Sequence, residues 1–116
     1  MAQLLRGEIR WVDIEPANRV VGHEQGNRRP ALILSNDRFN AASQLVIVAL
    51  IGSSESNRGR ATAVQIRTVA MPNTPSWVLT EHIRTVSAQR MGDLIGVMSG
   101  GELEEILESI FRIMYQ

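Results

Sequence analysis

Cysteine and lysine are both missing from these 116 residues. Without cysteine there can be no disulfide, no thiolate metal ligand and no thiol nucleophile. Such a chain suits a reducing compartment, and the cytoplasm is the expected location. No apolar run approaches the ~20 residues that a membrane-spanning helix needs. The opening Met1–Arg10 also lacks the apolar core of a secretory leader, so the expectation is a soluble protein with no membrane partner. Aromatic residues are scarce at 4%. Any stacking on a planar ligand therefore falls to a few rings, with Trp11 expected in the core and Trp77 read first for core or dimer packing and second as a stacking platform. Net charge is absent too, at +0, which argues against a protein coated in positive charge for nucleic acid.

The distribution of charge says more than its sum. All twelve basic residues are arginine. Residues 101–116 carry Glu102, Glu104, Glu105 and Glu108 against Arg112 alone, and the first 100 residues hold a compensating positive excess. Arginine presents a planar fork that grips phosphate through two parallel hydrogen bonds, which a lysine ammonium does not. Codon bias in a GC-rich genome explains the same composition without any function. At 116 residues the expectation is a single domain, 1–116, burying roughly two-thirds of its unfolded surface.

Apolar alternation and β-branched runs predict strands over 7–14, 30–35, 45–51, 61–67, 77–86 and 94–98. The third is apolar throughout and so expected at the centre. About six short strands at this spacing predict a small, strongly curved barrel. Ser99-Gly100-Gly101-Glu102 reads as a capping box, in which serine hydroxyl and glutamate carboxylate each satisfy an end amide. Leu103, Ile106, Leu107, Ile110, Phe111 and Met114 follow in one apolar stripe, predicting a helix over 100–114 that closes one side of the barrel. The class is thus mainly β with a C-terminal α-helix (α+β). Two polar stretches, 15–29 and 52–60, read as loops. The first is long enough to be functional, and the second is small, polar and expected to be flexible.

Chemistry concentrates at the end of the first loop. His23, Glu24, Gln25, Arg28 and Arg29 crowd together just before Pro30. Proline fixes its own φ and pushes the preceding residue towards extended geometry, so Arg29 is presented in a defined direction. A carboxylate beside two guanidiniums suits a site that holds a phosphate and moves a proton. It suits equally a surface ion-pair cluster that holds a loop closed.

Arg6-Gly7-Glu8-Ile9-Arg10-Trp11-Val12-Asp13, then Gly22 to Asp37, and later Glu81-His82-Ile83-Arg84-Thr85-Val86 with Arg90 and Ile95-Gly96, together resemble the MazF/PemK/Kid toxins of type II toxin–antitoxin systems, in the same order and over nearly the whole chain. The resemblance implies an SH3-like barrel with a C-terminal helix, a homodimer, and a cognate antitoxin, with DNA reached only through that antitoxin. It also implies sequence-selective, metal-independent endoribonuclease action on single-stranded RNA, with no cofactor. The ribose 2′-OH attacks the adjacent phosphate, leaving a cyclic phosphate and a 5′-OH. Such a reaction needs a base for the 2′-OH, an acid for the leaving oxygen and donors for the developing oxyanion. Arg29 matches the family's active-site arginine. An arginine keeps its proton at neutral pH, so its role is charge stabilisation. Glu24 supplies a carboxylate able to accept a proton, while Gln25, Arg28, Asn36, His82 and Arg84 are the candidate substrate-binding residues, with the serine-rich loop 53–58 a further candidate RNA contact. His82 stands where relatives commonly have glutamine, and its imidazole belongs to the class that titrates nearest neutrality.

One position departs from the family pattern. Where the toxins usually carry threonine at the end of the third strand, this chain has Gly52, with no hydroxyl. Either Ser53 supplies the hydroxyl from the next position, turned inward by a mobile glycine, or the site is impaired. In the second case the chain is a binding module for antitoxin, RNA or an operator complex.

Overall fold

The computed structural model describes residues 3–14 and 28–115. Six strands form one antiparallel sheet: β1 (Glu8–Asp13), β2 (Arg28–Ile33), β3 (Leu45–Gly52), β4 (Ala63–Gln65), β5 (Trp77–Ser87) and β6 (Met91–Val97), in the order β4-β5-β3-β2-β1-β6. Two helices complete the fold, α1 (Asp37–Ser43) and α2 (Gly100–Tyr115). The strand with the continuous apolar run, β3, has neighbours on both sides and buries both its faces, as a strand without a polar side must.

Side chains alternate across the sheet, and each face feeds its own apolar cluster. Ile9, Leu32, Ala49, Ile51 and Val78 point to one side, where Ile106 and Ile110 of α2 cover them. Val12, Ala31, Ile33, Val48, Leu50 and Val86 point to the other. A shift in register between Ala49 and Ile51 bends β5, so that one half pairs with β4 and the other runs alongside the start of β3. The sheet's two outer strands are then drawn together by the chain that leaves β4. Val69 packs against Gly96 of β6, where any Cβ would collide with it.

The predicted helix is present, but its N-terminal box is only half made. Ser99 Oγ accepts from Glu102 N–H at 3.3 Å. The Glu102 carboxylate turns away from the helix, accepting from Arg67 N–H at 2.9 Å and from Thr68 Oγ1 at 2.6 Å. It is buried there, and so fastens the first turn of α2 to the segment that closes the barrel. The sequence reading had no helix between β2 and β3. Asn36 caps α1 by accepting from Phe39 N–H at 2.8 Å, and Gln44 ends it with φ +62°. Seven residues make too short a stripe to register as helical periodicity.

Candidate active site

Arg29 owes its position to the proline that follows it. Leu34 N–H donates to Ile47 O at 2.8 Å, and Leu32 pairs with Ala49. Bonded pairs alternate along an antiparallel ladder, so the next is Pro30 opposite Ile51. Proline has no N–H to give, and the Ile51 carbonyl would be left without a partner. Arg29 Nη2 fills that place, donating to Ile51 O at 3.2 Å. The Arg-Pro order in the sequence thus ties a guanidinium to the end of the central strand.

Around it lies a cleft of about 260 Å³, lined by Arg28, Arg29 and Pro30 from β2, Trp11 from β1, Ile51, Gly52 and Ser53 from the end of β3, and Met71, Asn73 and Ser76 from the loop before β5. The Arg28 guanidinium lies 5.0 Å from the Trp11 ring centroid, a cation–π arrangement. Trp11 is half-buried and faces this cleft rather than the core. Trp11 sits opposite Pro30, beside Arg28 and Arg29 at the end of β2 that lines the cleft. Trp77 takes the core role instead, 2% exposed.

The stretch expected to be a flexible loop is bound down. Asn57 sits in a 3₁₀ turn, Glu55–Asn57, and is buried. Its Oδ1 accepts from Arg60 Nη1 at 2.7 Å, and Arg60 in turn pairs with Glu81 on β5. Thr80 Oγ1 donates to Thr62 O at 2.7 Å. Arg58 lies 5.3 Å over the Trp77 ring and pairs with Glu55 at 2.9 Å. Burial would raise the Glu81 carboxyl, but its own backbone amide, Thr62 and Arg60 outweigh that and hold it below its ordinary 4.5. The hydrogen bond and charge of Arg58 likewise lower Glu55.

The candidate residues divide accordingly. Arg28, Arg29 and Ser53 meet in the cleft. His82 and Arg84 are exposed on β5, His82 Nε2 lying 3.7 Å from Glu81 Oε2, and neither lines the cleft. Asn36 spends its side-chain oxygen on capping α1, beside Arg6 and Arg38 in a separate depression. Glu24 and Gln25 lie outside the described residues. Gly52 lacks the positive φ that Gly7 and Gly59 have among the described residues. What matters at 52 is the missing Cβ, which would lie 3.0 Å from Asn57 Nδ2 and 3.3 Å from Leu79 Cδ1. Among the described residues, no three His, Asp or Glu side chains converge as a metal site would require, and no helix is long and apolar enough to cross a membrane.

Fold and site together define a small curved β-sheet protein with an arginine-lined, tryptophan-walled cleft at the end of its central strand. The model of PemK-like, MazF-like toxins of type II toxin–antitoxin systems matches residues 5–114, and the chain belongs to that family. It is 33% identical to the endoribonuclease EndoA of Bacillus subtilis, over 90% of this chain and 89% of that one. It is 32% identical to the endoribonuclease MazF of Staphylococcus saprophyticus, over 90% and 86%. A crystal structure of MazE–MazF from Deinococcus radiodurans superposes with a TM-score of 0.79, at 23% identity, covering 98% of this chain and 97% of that one.

Proposed function

We propose that this protein is an endoribonuclease toxin that cleaves single-stranded RNA without a metal, at a cleft centred on Arg29. The carrying observation is the tether of Arg29 to Ile51 O beside Arg28 and Trp11, in a chain whose relatives are named endoribonucleases. Arg29 keeps four further N–H donors after the tether, enough to hold a phosphate. Arg28 adds positive charge, and the Trp11 face offers a base a surface to stack on. As the 2′-oxygen attacks phosphorus, charge grows on the non-bridging oxygens, and a fixed guanidinium stabilises it without reorganisation. Glu24, five residues before Arg29, is the assigned proton acceptor. Ser53, on the cleft wall, is the assigned hydroxyl. Gln25, Asn36, His82 and Arg84 are assigned to substrate contacts.

The protein acts as a homodimer in the cytoplasm and is neutralised by an antitoxin, the kind of complex seen in the MazE–MazF neighbour. It reaches DNA only through that partner. A toxin reading is favoured over a pure binding module because the cleft retains its arginines and its opening. The test is cleavage of a long, sequence-diverse single-stranded RNA with EDTA present, followed by end-group analysis. Cyclic phosphate and 5′-OH ends are expected, and Arg29→Ala is expected to cut the rate ~100-fold or more. No cleavage by a folded parent, or cleavage abolished by EDTA, overturns the reading.

A further inference from the structure

The missing hydroxyl at position 52 leaves a space, and the structure shows what fills it. Continuing the β2–β3 register from Ala31 opposite Leu50 brings Arg29 opposite Gly52. Paired residues in an antiparallel sheet point to the same side, so a side chain at 52 would share a face with Arg29. That direction is occupied. The Asn57 amide nitrogen stands 3.0 Å from where a Cβ on residue 52 would be. Which end of the amide faces Gly52 is fixed by chemistry: Arg60 Nη1 donates to Oδ1 at 2.7 Å, and an arginine can only donate. Among the described residues Nδ2 has no hydrogen-bond acceptor.

We propose that Asn57 is a further catalytic residue, its Nδ2 standing where the family's side chain at position 52 would reach and donating to the phosphate held by Arg29. This rests on the endoribonuclease reading above. In the step, the 2′-oxygen bonds to phosphorus and the bond from phosphorus to the 5′-oxygen breaks. The proton lost by the 2′-OH is balanced by the proton gained by the leaving 5′-oxygen. The amide neither gives nor takes a proton. It donates a hydrogen bond to a non-bridging oxygen, where negative charge builds. Glycine at 52 is then the complement of asparagine at 57, and restoring threonine alone crowds the donor. Arg60 and Glu81 act as positioning residues, holding the amide in its orientation.

The experiment measures kcat and KM on a fluorogenic single-stranded RNA for the parent, Arg29→Ala, Asn57→Asp, Asn57→Ala, Gly52→Thr and the double variant Gly52→Thr/Asn57→Ala. Asn57→Asp keeps shape and can still accept from Arg60, but offers acceptors where donors stood. It is expected to lower kcat ~100-fold or more with little change in KM. Gly52→Thr alone is expected to slow the enzyme, and the double variant to exceed Asn57→Ala at least tenfold. A parent that cleaves and depends on Arg29, with Asn57→Asp at parental kcat, overturns this inference and leaves the endoribonuclease reading standing. A double variant no faster than Asn57→Ala overturns it as well. If the parent does not cleave, the endoribonuclease reading fails, and this one with it.

Discussion

Two arginine–tryptophan pairs of nearly the same geometry sit in two regions of this protein and do different things. Arg28 lies 5.0 Å over Trp11, and Arg58 lies 5.3 Å over Trp77. Trp77 is 2% exposed and belongs to the packed interior. Arg58 covers it from the rim of a stretch fastened by Arg60, Glu81, Thr62 and Thr80. Trp11 is half-buried in an open cleft with Arg29 beside it. A cation over an aromatic face is thus not by itself a binding signature. What distinguishes the pairs is whether neighbouring groups are already spent on each other or still have donors to offer.

The largest separation comes from removing the rings. Trp77→Ala should destabilise the fold by ~3–5 kcal/mol, the usual cost of emptying an aromatic site in a core, read as a fall in the denaturant midpoint. Trp11→Ala should weaken RNA binding by ~1–3 kcal/mol, the range for one lost stacking contact, with a much smaller shift in midpoint. If both variants lose stability equally, the two tryptophans play one role and the comparison fails. Arg28→Ala should cost RNA affinity and flatten its salt dependence, whereas Arg58→Ala should leave binding almost unchanged.

The smallest effect is a pH dependence. The folded-state pKa of Glu81 lies below 4.5, so its contribution is present above the unfolded value and is lost as pH falls through the folded one. Below about pH 4.5 the stretch around Asn57 should loosen before the rest of the molecule. In a Trp11→Phe background, Trp77 is the sole tryptophan, and its fluorescence should shift in acid. Glu81→Gln should remove that transition. An unchanged transition would assign it to another carboxylate, such as Glu55, which Arg58 also holds low.

Much of the frame was readable from pattern. The apolar run at 45–51 and the stripe beginning at Leu103 are signals of period and length, and both elements stand where those signals put them. What escaped depends on contacts between distant residues. Asn36 stands among polar residues with no helical stripe to mark it, and its side-chain oxygen caps a seven-residue helix. Glu102 looked local to its helix, while its partners Arg67 and Thr68 lie more than thirty residues away. Arg28, Arg29 and Ser53 could be grouped because the resemblance to the MazF/PemK toxins puts the active-site arginine at 29 and the missing hydroxyl at 52. Asn57 falls in the serine-rich loop 53–58 that the sequence offers as an RNA contact, but nothing near it in the chain singles it out as a neighbour of position 52. Trp11 was expected in the core but lines the cleft, because its place beside Arg28 and Arg29 is set by the pairing of β1 with β2, which composition does not give.

The carboxylate of Glu102 also fixes an order in time. Met71, Asn73 and Ser76 line the cleft and follow directly on the segment that Glu102 holds through Arg67 and Thr68. Chains are made from the N-terminus onward, and contacts between distant residues wait for the later partner to exist. Arg29 is therefore synthesised long before the wall facing it can be secured, and that wall is fastened only once the start of α2 has emerged. A chain interrupted anywhere before residue 102 carries Arg28 and Arg29 on a sheet without the Glu102 fastening.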